Sequence, residues 1–457
     1  MEKQAKISSK NSKQTSWKRY VSYIALVLIL TALSLFFSLY GQFDSVLGAV
    51  SSANPLWISL VFGLVFLSYL LDGFVVLVFA RLYTRRYYFH QACAANMVGA
   101  FYSAVTPSSS GGQVMEAYTM KKQGITISNA ASIMVMWFII YQVALIFFDV
   151  IAIIVEWNQI INISFLMQLG DWKMEITMLP LIIGGFALNL GVCALLFLMS
   201  YSHRFHNFIM HHVVGFLGKI HIKNHYLIKD PDKTRESLRV QVENFKIELK
   251  RLQANVPVTV LIFVTFLLIF FIRYSIPFFA GLALDALPNP TVRSFFDACF
   301  LSSFHQMVSG LIPTPGAAGV SELFFTNIFS DFYSATLSAA GNEIRSVSAN
   351  ISAAQIIWRF FTFHVVVIVS GLVSALYRSR PNENFHYANR QTFVDMQLST
   401  FEERKVSVDT LFETRQLSRK DIQKRLANLD TFTYIGDDKS HHRTKGFTSE
   451  KDEDRFS

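Results

Sequence analysis

Six long apolar stretches dominate the sequence and restrict the folds available to it. Each is about 25 residues long, and a helix needs about 20 apolar residues to cross the hydrocarbon core of a bilayer. Only 16% of the residues are charged and 43 are Phe, whereas a soluble domain carries about a quarter charged residues. The sequence therefore predicts an all-α, polytopic integral membrane protein, and excludes most soluble enzymes and disordered scaffolds. The predicted spans are residues 20–43, 55–80, 128–156, 176–201, 256–280 and 352–377.

Two shorter apolar stretches, residues 92–122 and 292–330, differ from the six spans. Each is broken in its middle by Pro, Ser and Gly. Interrupted, half-length segments of this kind are typical of re-entrant hairpins and broken helices. We therefore expect about six full spans and two re-entrant broken-helix hairpins.

The distribution of Lys and Arg predicts the orientation of the chain. The arm 1–19 carries six Lys or Arg, and the 202–255 loop carries ten against five acidic residues. Because Lys and Arg accumulate on cytoplasmic loops, both termini and this loop are expected in the cytoplasm, with residues 157–175 and 331–350 outside. The first hairpin then enters from the cytoplasmic side and the second from the outer side.

The net charge of +9 is explained by this orientation, so no nucleic-acid partner is expected. The three cysteines have no CxxC spacing, which argues against a disulfide framework and a zinc site. No metal and no cofactor are predicted. The predicted organisation is a basic arm (1–19), a first membrane repeat (20–201), a cytoplasmic loop (202–255), a second membrane repeat (256–377) and a cytoplasmic, partly disordered tail (378–457).

The second half of the 202–255 loop shows helical periodicity. Its apolar residues recur every three or four positions, at Leu238, Val242, Phe245, Leu249 and Leu252. An amphipathic helix with a basic face suits an anionic membrane surface. A connector packed against the bundle explains the pattern equally well, so both interpretations stay open. Six histidines between His203 and His225 lack a metal-binding spacing.

An internal match links the two hairpins. Pro107-Ser-Ser-Ser-Gly-Gly-Gln-Val-Met-Glu116 aligns without a gap on Pro313-Thr-Pro-Gly-Ala-Ala-Gly-Val-Ser-Glu322, at an offset of 206 residues. The same offset brings the second span onto the fifth. Because the two copies are expected to enter from opposite sides, we predict an inverted-topology repeat.

Each motif is a turn of small residues that opens a short helix. Free backbone N–H groups at such a helix start favour an anion, and Ser and Thr hydroxyls add donors. Two such turns would form a phosphate-sized site between the repeats. The alternative is that small residues only allow tight helix packing.

Ionisable residues at membrane depth are costly and often functional. Arg273 and Arg359 are candidates for binding a lipid phosphate. Glu116 and Glu322 would either form ion pairs that position these arginines or bind a cationic head group. Two purely structural Glu–Arg pairs are the alternative. Asp72 and Asp149 are acidic residues nearer the span ends, and we expect them to be interfacial or locally paired. His305 and Gln306 in the second hairpin are candidates for lining the cavity.

These considerations give one candidate site. The predicted substrate-binding residues are Ser108, Ser109, Ser110, Gly111, Gly112, Glu116, Arg273, Thr314, Gly316, Gly319, Glu322 and Arg359, with Pro107, Pro313 and Pro315 as structural hairpin turns.

The second motif resembles a known family element. Pro313 to Glu322 is similar to the Pro-x-Pro-Gly-Gly-x-Gly-x-x-Glu element in the membrane region of bacterial lysylphosphatidylglycerol synthases, and Pro107 to Glu116 resembles its first-half counterpart. Ala317 and Ala318 depart from the glycine-rich pattern. The resemblance covers roughly residues 20–377 and extends to stand-alone proteins called flippase-like.

The resemblance implies a multi-pass protein of the bacterial plasma membrane that moves an anionic or aminoacylated phospholipid or a related lipid-phosphate. Full-length synthases also carry a cytoplasmic acyltransferase domain of several hundred residues, whereas only about 80 residues follow the last span here. The alternatives are a phosphatidylglycerol lysyltransferase, completed by a separate soluble synthase, and a non-transporting membrane scaffold.

Overall fold

The computed structural model describes residues 43–378, apart from positions 85, 288 and 318 and the segments 170–171, 202–220, 223–224, 227–230 and 340–343. Nearly all of the predicted first span, the basic arm, the tail, and most of the histidine-rich segment lie outside the described residues. Within the described part, five helices are long and apolar enough to span a bilayer. They correspond to the second to sixth predicted spans, so the all-α polytopic prediction is confirmed.

The first half of the described chain contains seven helices and one β-hairpin. These elements are α1 (Phe43–Ser51), α2 (Pro55–Tyr83), α3 (Phe89–Val105), α4 (Ser110–Lys122), α5 (Ile127–Val155), α6 (Trp157–Asn162), the antiparallel strands β1 (Ser164–Leu169) and β2 (Trp172–Thr177), and α7 (Leu179–Tyr201).

The second half is helical apart from two very short strands. Its elements are the antiparallel strands β3 (His221–Ile222) and β4 (His225–Tyr226), then α8 (Pro231–Ala254), α9 (Val256–Tyr274), α10 (Ile276–Ala283), α11 (Val292–Ser309), α12 (Val320–Ala339), α13 (Ile344–Arg359) and α14 (Val365–Leu376).

Local sequence explains where the spans begin and bend. Asn54 caps α2 by accepting a hydrogen bond from the Leu56 N–H, and Pro55 occupies the first helical position, where its missing N–H costs nothing. The fifth predicted span divides into α9 and α10 at Ser275, because Pro277 lacks the N–H that a continuous helix would use. The sixth span contains a π-helical turn, Phe360–His364, between α13 and α14.

Each interrupted segment forms a helical hairpin. Helices α3 and α4 pack against each other, as do α11 and α12, and the short 3₁₀ turns at the two hairpin tips are in contact. The hairpins are longer than predicted at two ends, since α3 begins at Phe89 and α12 continues to Ala339. The tips of two separate hairpins therefore meet inside the bundle.

Two contacts each join helix ends that the loop charges predict to lie on the same side of the membrane. The Gln123 side-chain amide, just after the first hairpin, donates to the hydroxyl of Tyr377 at 3.1 Å. Arg293 at the base of the second hairpin contacts Glu156 at 2.6 Å. The first pair joins two ends predicted inside and the second joins two ends predicted outside. This sorting supports the prediction that the hairpins enter from opposite sides.

Helix α8 packs its apolar face into the protein. Val242, Phe245, Leu249 and Leu252 are buried, and the helix contacts α5, α7 and α9. The side chain of Leu238 lies outside the described part. This packing favours the connector interpretation of the 202–255 loop, while binding of its basic face to anionic lipid stays a prediction.

An aromatic core joins α5 to the second half. The Phe148 ring makes edge-to-face contacts with Phe271 and Tyr274 at centroid distances of 5.0 and 5.2 Å, and a tilted contact with Phe300 at 5.9 Å. Such pairs stabilise packing beyond the area that they bury. They pack α5 against α9 and α11.

Candidate functional site: a cavity between the hairpin turns

The two hairpin turns share an unusual backbone conformation. Ser108 and Ser109 have positive φ angles of 51° and 54°, and Gly316 and Ala317 have 59° and 52°. Left-handed residues other than Gly are uncommon and cluster at functional sites. The equivalent turns are thus 208 residues apart, so the gapless alignment at 206 is wrong at the turn. The reason is local: Glu116 follows the last left-handed residue of its turn, Ser109, by seven positions, whereas Glu322 follows Ala317 by only five.

A cavity of about 820 Å³ lies between these turns. Its walls come from both hairpins and from α2, α5, α9 and α13, and it has both polar and apolar lining residues. Nine of the twelve predicted binding residues line it, together with Pro313, His305 and Gln306. The nine are Ser108, Ser109, Ser110, Gly112, Glu116, Arg273, Thr314, Gly316 and Arg359.

Three predicted binding residues, Gly111, Gly319 and Glu322, do not line the cavity. The N–H of Gly111 donates to the hydroxyl of Thr106 at 2.9 Å, and the N–H of Gly319 donates to Glu322 at 2.6 Å. Glu322 therefore occupies the start of α12 with its own carboxylate, as a ligand at a helix N-terminus would. In the first hairpin the Thr106 hydroxyl takes one N–H at the start of α4, and Ser108, Ser109 and Ser110 of the adjoining turn are exposed.

Arg273 forms an ion pair with Asp72, not with a glutamate. Its Nη2 donates to Asp72, its Nε donates to Ser68 at 3.2 Å, and its guanidinium stacks over Tyr69 at 4.9 Å. Sequence reasoning placed Asp72 near a span end, and this was wrong: the carboxylate lies about three turns inside α2 and is buried. Arg273 keeps 32% of its side chain exposed.

Arg359 is held more tightly than Arg273. Its Nε lies 2.7 Å from Glu322, its Nη2 donates to the Gly316 carbonyl at 2.6 Å, and its guanidinium stacks on Phe363 at 4.1 Å. Only 9% of its side chain is exposed. This contact confirms one of the two Glu–Arg pairs considered from the sequence, and it fixes the second turn.

Glu116 is buried against the first hairpin and pairs with no cation in the part of the chain that the structure describes. It is 8% exposed, and its Oε1 has no hydrogen-bond partner there. An added Cβ on Gly99 would lie only 2.8 Å from Oε2, so the glycine makes room for the carboxyl.

The small residues of the first hairpin have a packing role as well. A Cβ on Gly112 would lie 1.9 Å from the Ser103 hydroxyl and 3.0 Å from the Gly99 carbonyl. Gly112 therefore allows α3 and α4 to approach closely. This observation supports the packing alternative at Gly112.

The remaining polar candidates have different surroundings. His305 lies 2.8 Å from the Ser321 carbonyl and 3.2 Å from the Ser309 hydroxyl, and Gln306 is exposed. Asp149 is fully buried and accepts from Ser303 at 2.6 Å, which confirms the expected local pairing. Among the described residues, no cluster of His, Cys, Asp or Glu is arranged to hold a metal ion.

Aromatic residues of the lining were missed by sequence reasoning. Tyr69, Trp137 and Tyr141 border the cavity from α2 and α5, and Trp137 stacks on Tyr141 at 4.8 Å. They occur within continuous apolar spans, so no local pattern marks them as cavity residues.

The model of a family described as lysylphosphatidylglycerol synthase TM region matches residues 23–371. No curated protein and no solved structure matches the chain significantly. The family match spans both hairpins and every residue of the cavity described above.

Proposed function

The chain belongs to the family of the lysylphosphatidylglycerol synthase TM region, and from this premise we propose that it is a translocase for a lipid with a phosphate-bearing head group. The family supports a membrane lipid-related function. The cavity at the meeting point of the two hairpin tips is the observation that carries the finer proposal. Its volume of about 820 Å³ is in the range of pockets that enclose small organic ligands.

The cavity suits a head group whose acyl chains stay in the bilayer. The three exposed serines of the first turn, Ser108 to Ser110, and the partly exposed Arg273 present donors to it. Moving a phosphate from water to membrane depth is costly unless it is paired and hydrogen-bonded. A guanidinium can hold two phosphate oxygens at once because its donors form a planar fork.

Arg273 is the arginine that we propose as the phosphate ligand. Asp72 and Ser68 take its Nη2 and Nε, and its Nη1 makes no hydrogen bond to the described residues. Asp72 therefore orients the guanidinium and still leaves a donor edge for a ligand. Arg359, by contrast, is largely enclosed by Glu322 and Phe363, and we assign it to the structure of the second turn.

Translocation can be tested with the full chain in liposomes that contain fluorescently labelled phosphatidylglycerol. A membrane-impermeant quencher should reach only the outer-leaflet label in protein-free vesicles, and the label of both leaflets once the protein is present. Labelled phosphatidylcholine in parallel vesicles measures head-group preference. If quenching with the protein matches that of empty vesicles for both lipids, the proposal fails.

The family description names a synthase, so lysyl transfer from lysyl-tRNA to phosphatidylglycerol is the second candidate function. Purified protein, lysyl-tRNA and phosphatidylglycerol vesicles form the test, with and without a soluble extract as a source of a separate synthase. Lysylated lipid formed by the purified protein alone would replace the translocase proposal by an enzymatic one.

A further inference from the structure

We propose that Glu116 is a proton-exchange site and that lipid movement through the cavity is coupled to protons at this carboxyl. The inference rests on the proposed translocase function and adds the coupling ion to it. Glu116 lines the cavity, is 8% exposed and has an unpartnered Oε1 within the described part of the chain.

The charges around the cavity single out this residue. Arg273 is compensated by Asp72, and Arg359 is compensated by Glu322. Glu116 is the cavity-lining carboxyl without such a partner among the described residues. A buried carboxylate without a cation is costly at membrane depth, so this side chain is neutral unless a cation enters beside it.

The surrounding groups reinforce that state. The charge of Asp72 opposes a second negative charge on Glu116, while Arg273 is already engaged by Asp72. The other ionisable groups on the described neighbouring elements are grouped by element. They are His90, Cys93 and Tyr102 on α3, Tyr141 and Asp149 on α5, Arg86, Tyr87 and Tyr88 in the segment before α3, and Tyr118, Lys121 and Lys122 on α4 itself.

The position of the carboxyl suits coupling. It shares the cavity with Arg273, so a phosphate bound there would meet a neutral acid instead of a second anion. Loss of the proton would place a negative charge in the same cavity and weaken phosphate binding. The proton is taken up by the carboxylate from one aqueous side and released to the other, and no further reactant is needed.

The test uses liposomes with labelled phosphatidylglycerol and an imposed pH gradient. The parent protein should change its translocation rate with the gradient, by up to about tenfold per pH unit because one unit is a tenfold change in proton activity. Glu116→Gln should lose this response. Asp149→Asn is the matched control, because it removes a buried carboxyl that does not line the cavity, and it should keep the response.

A second measurement reads the proton directly. In the purified parent protein, the intensity of the infrared band of a protonated carboxyl should change as the pH is varied. The same pH titration of Glu116→Gln should lack the part of this change that comes from Glu116. Gly99→Ala, which crowds Oε2, should shift the titration midpoint without removing the carboxyl, and it remains informative if Glu116→Gln folds poorly.

The outcomes separate this inference from the proposed function. Equal gradient responses in the parent and Glu116→Gln would overturn the coupling, and so would a response to a sodium gradient at constant pH in place of the proton response. If the parent moves no labelled lipid at any pH, the translocase proposal and the coupling fail together. If the infrared band of the Glu116 carboxyl does not change with pH, Glu116 is not a proton-exchange site.

Discussion

Asp72 on α2 and Arg273 on α9 form an ion pair across 201 residues of sequence, at membrane depth and in the wall of a cavity. Each residue lies in the span that flanks one of the two hairpins. The pair thus joins the two halves of the bundle at the place where their hairpin tips meet. It also orients the arginine that we propose as the phosphate ligand.

Removal of Arg273 alone should therefore destabilise the protein. Arg273→Ala leaves the buried Asp72 carboxylate without its cation, and breaking a buried pair costs about 3–5 kcal/mol. The double variant Asp72→Ala/Arg273→Ala should recover most of that loss and still fail to translocate labelled lipid. Thermal unfolding in detergent and the liposome assay measure the two effects.

Arg273→Lys serves as the control for charge. It keeps the cation but loses the planar fork, so partial activity in a folded protein is expected. If the Asp72→Ala/Arg273→Ala variant is folded and moves lipid at the parental rate, Arg273 does not bind the substrate.

Arg359 should behave differently, since we assign it to the second turn. Arg359→Ala strands Glu322 and releases the Gly316 carbonyl, so a loss of about 3–5 kcal/mol is expected. The control Lys122→Ala removes an exposed cation that lies 4.6 Å from the Tyr118 ring, and it should change stability by no more than about 1 kcal/mol. Stability within that margin for Arg359→Ala, together with lost lipid movement, would indicate that Arg359 binds the substrate.

Close packing of α3 on α4 predicts the effect of a single methyl group. Gly112→Ala would force its Cβ into Ser103 and the Gly99 carbonyl, and overpacking of this kind typically costs about 1–3 kcal/mol. Gly191→Ala on α7 is the matched control, because a Cβ there meets nothing within 4 Å. Circular dichroism melts of both variants provide the comparison, and equal melting temperatures would argue against tight packing at Gly112.

The sequence predicted the described spans well because length and apolarity are local properties that the bilayer imposes on any spanning helix. The two interrupted hairpins were likewise visible as Pro, Ser and Gly inside apolar segments. The contact between their tips followed only from the structure. The β1–β2 strands were not predicted, since they lie in a loop that was interpreted through its charge alone.

The site was predicted less completely than the fold. Hydroxyl and glycine positions of the turns were recognisable, and most line the cavity. The partner of Arg273 was not, because pairing across 201 residues depends on how the spans pack and leaves no local pattern. The left-handed turns lie 208 residues apart, two more than the offset of the sequence alignment. The alignment did not reveal this difference, because matching Pro and Glu compares residue types and not backbone angles.

Cysteine labelling can establish which side each group of helix ends faces. In a background without Cys93, Cys193 and Cys299, Asn158→Cys on α6 should react with an impermeant thiol reagent in intact cells, and Lys122→Cys at the end of α4 should react only after lysis. Both positions are exposed. Labelling of Lys122→Cys in sealed cells would reverse the orientation that the loop charges predict.

A cluster at the predicted outer end of α5 should make stability depend on pH. Glu156 follows the span, and Arg293 contacts both Glu156 at 2.6 Å and Asp297 at 2.7 Å. Burial raises the pKa of Glu156 from 4.5 to about 7. Asp297 raises this pKa further, whereas Arg293 lowers it. The folded state thus holds this proton more strongly than the unfolded state does.

The sign of the effect follows from linkage. The contribution of Glu156 to stability is fully present below about pH 4.5 and is lost as the pH rises through about 7. Glu156→Gln, which stays neutral, should flatten this part of the stability curve, whereas the exposed control Asp331→Asn should leave its slope intact. Melting temperatures in detergent from pH 4 to pH 8 are the measurement. A parental slope that persists in Glu156→Gln would assign the pH dependence to a different group, and the Arg293 contact would then hold an ionised Glu156 throughout.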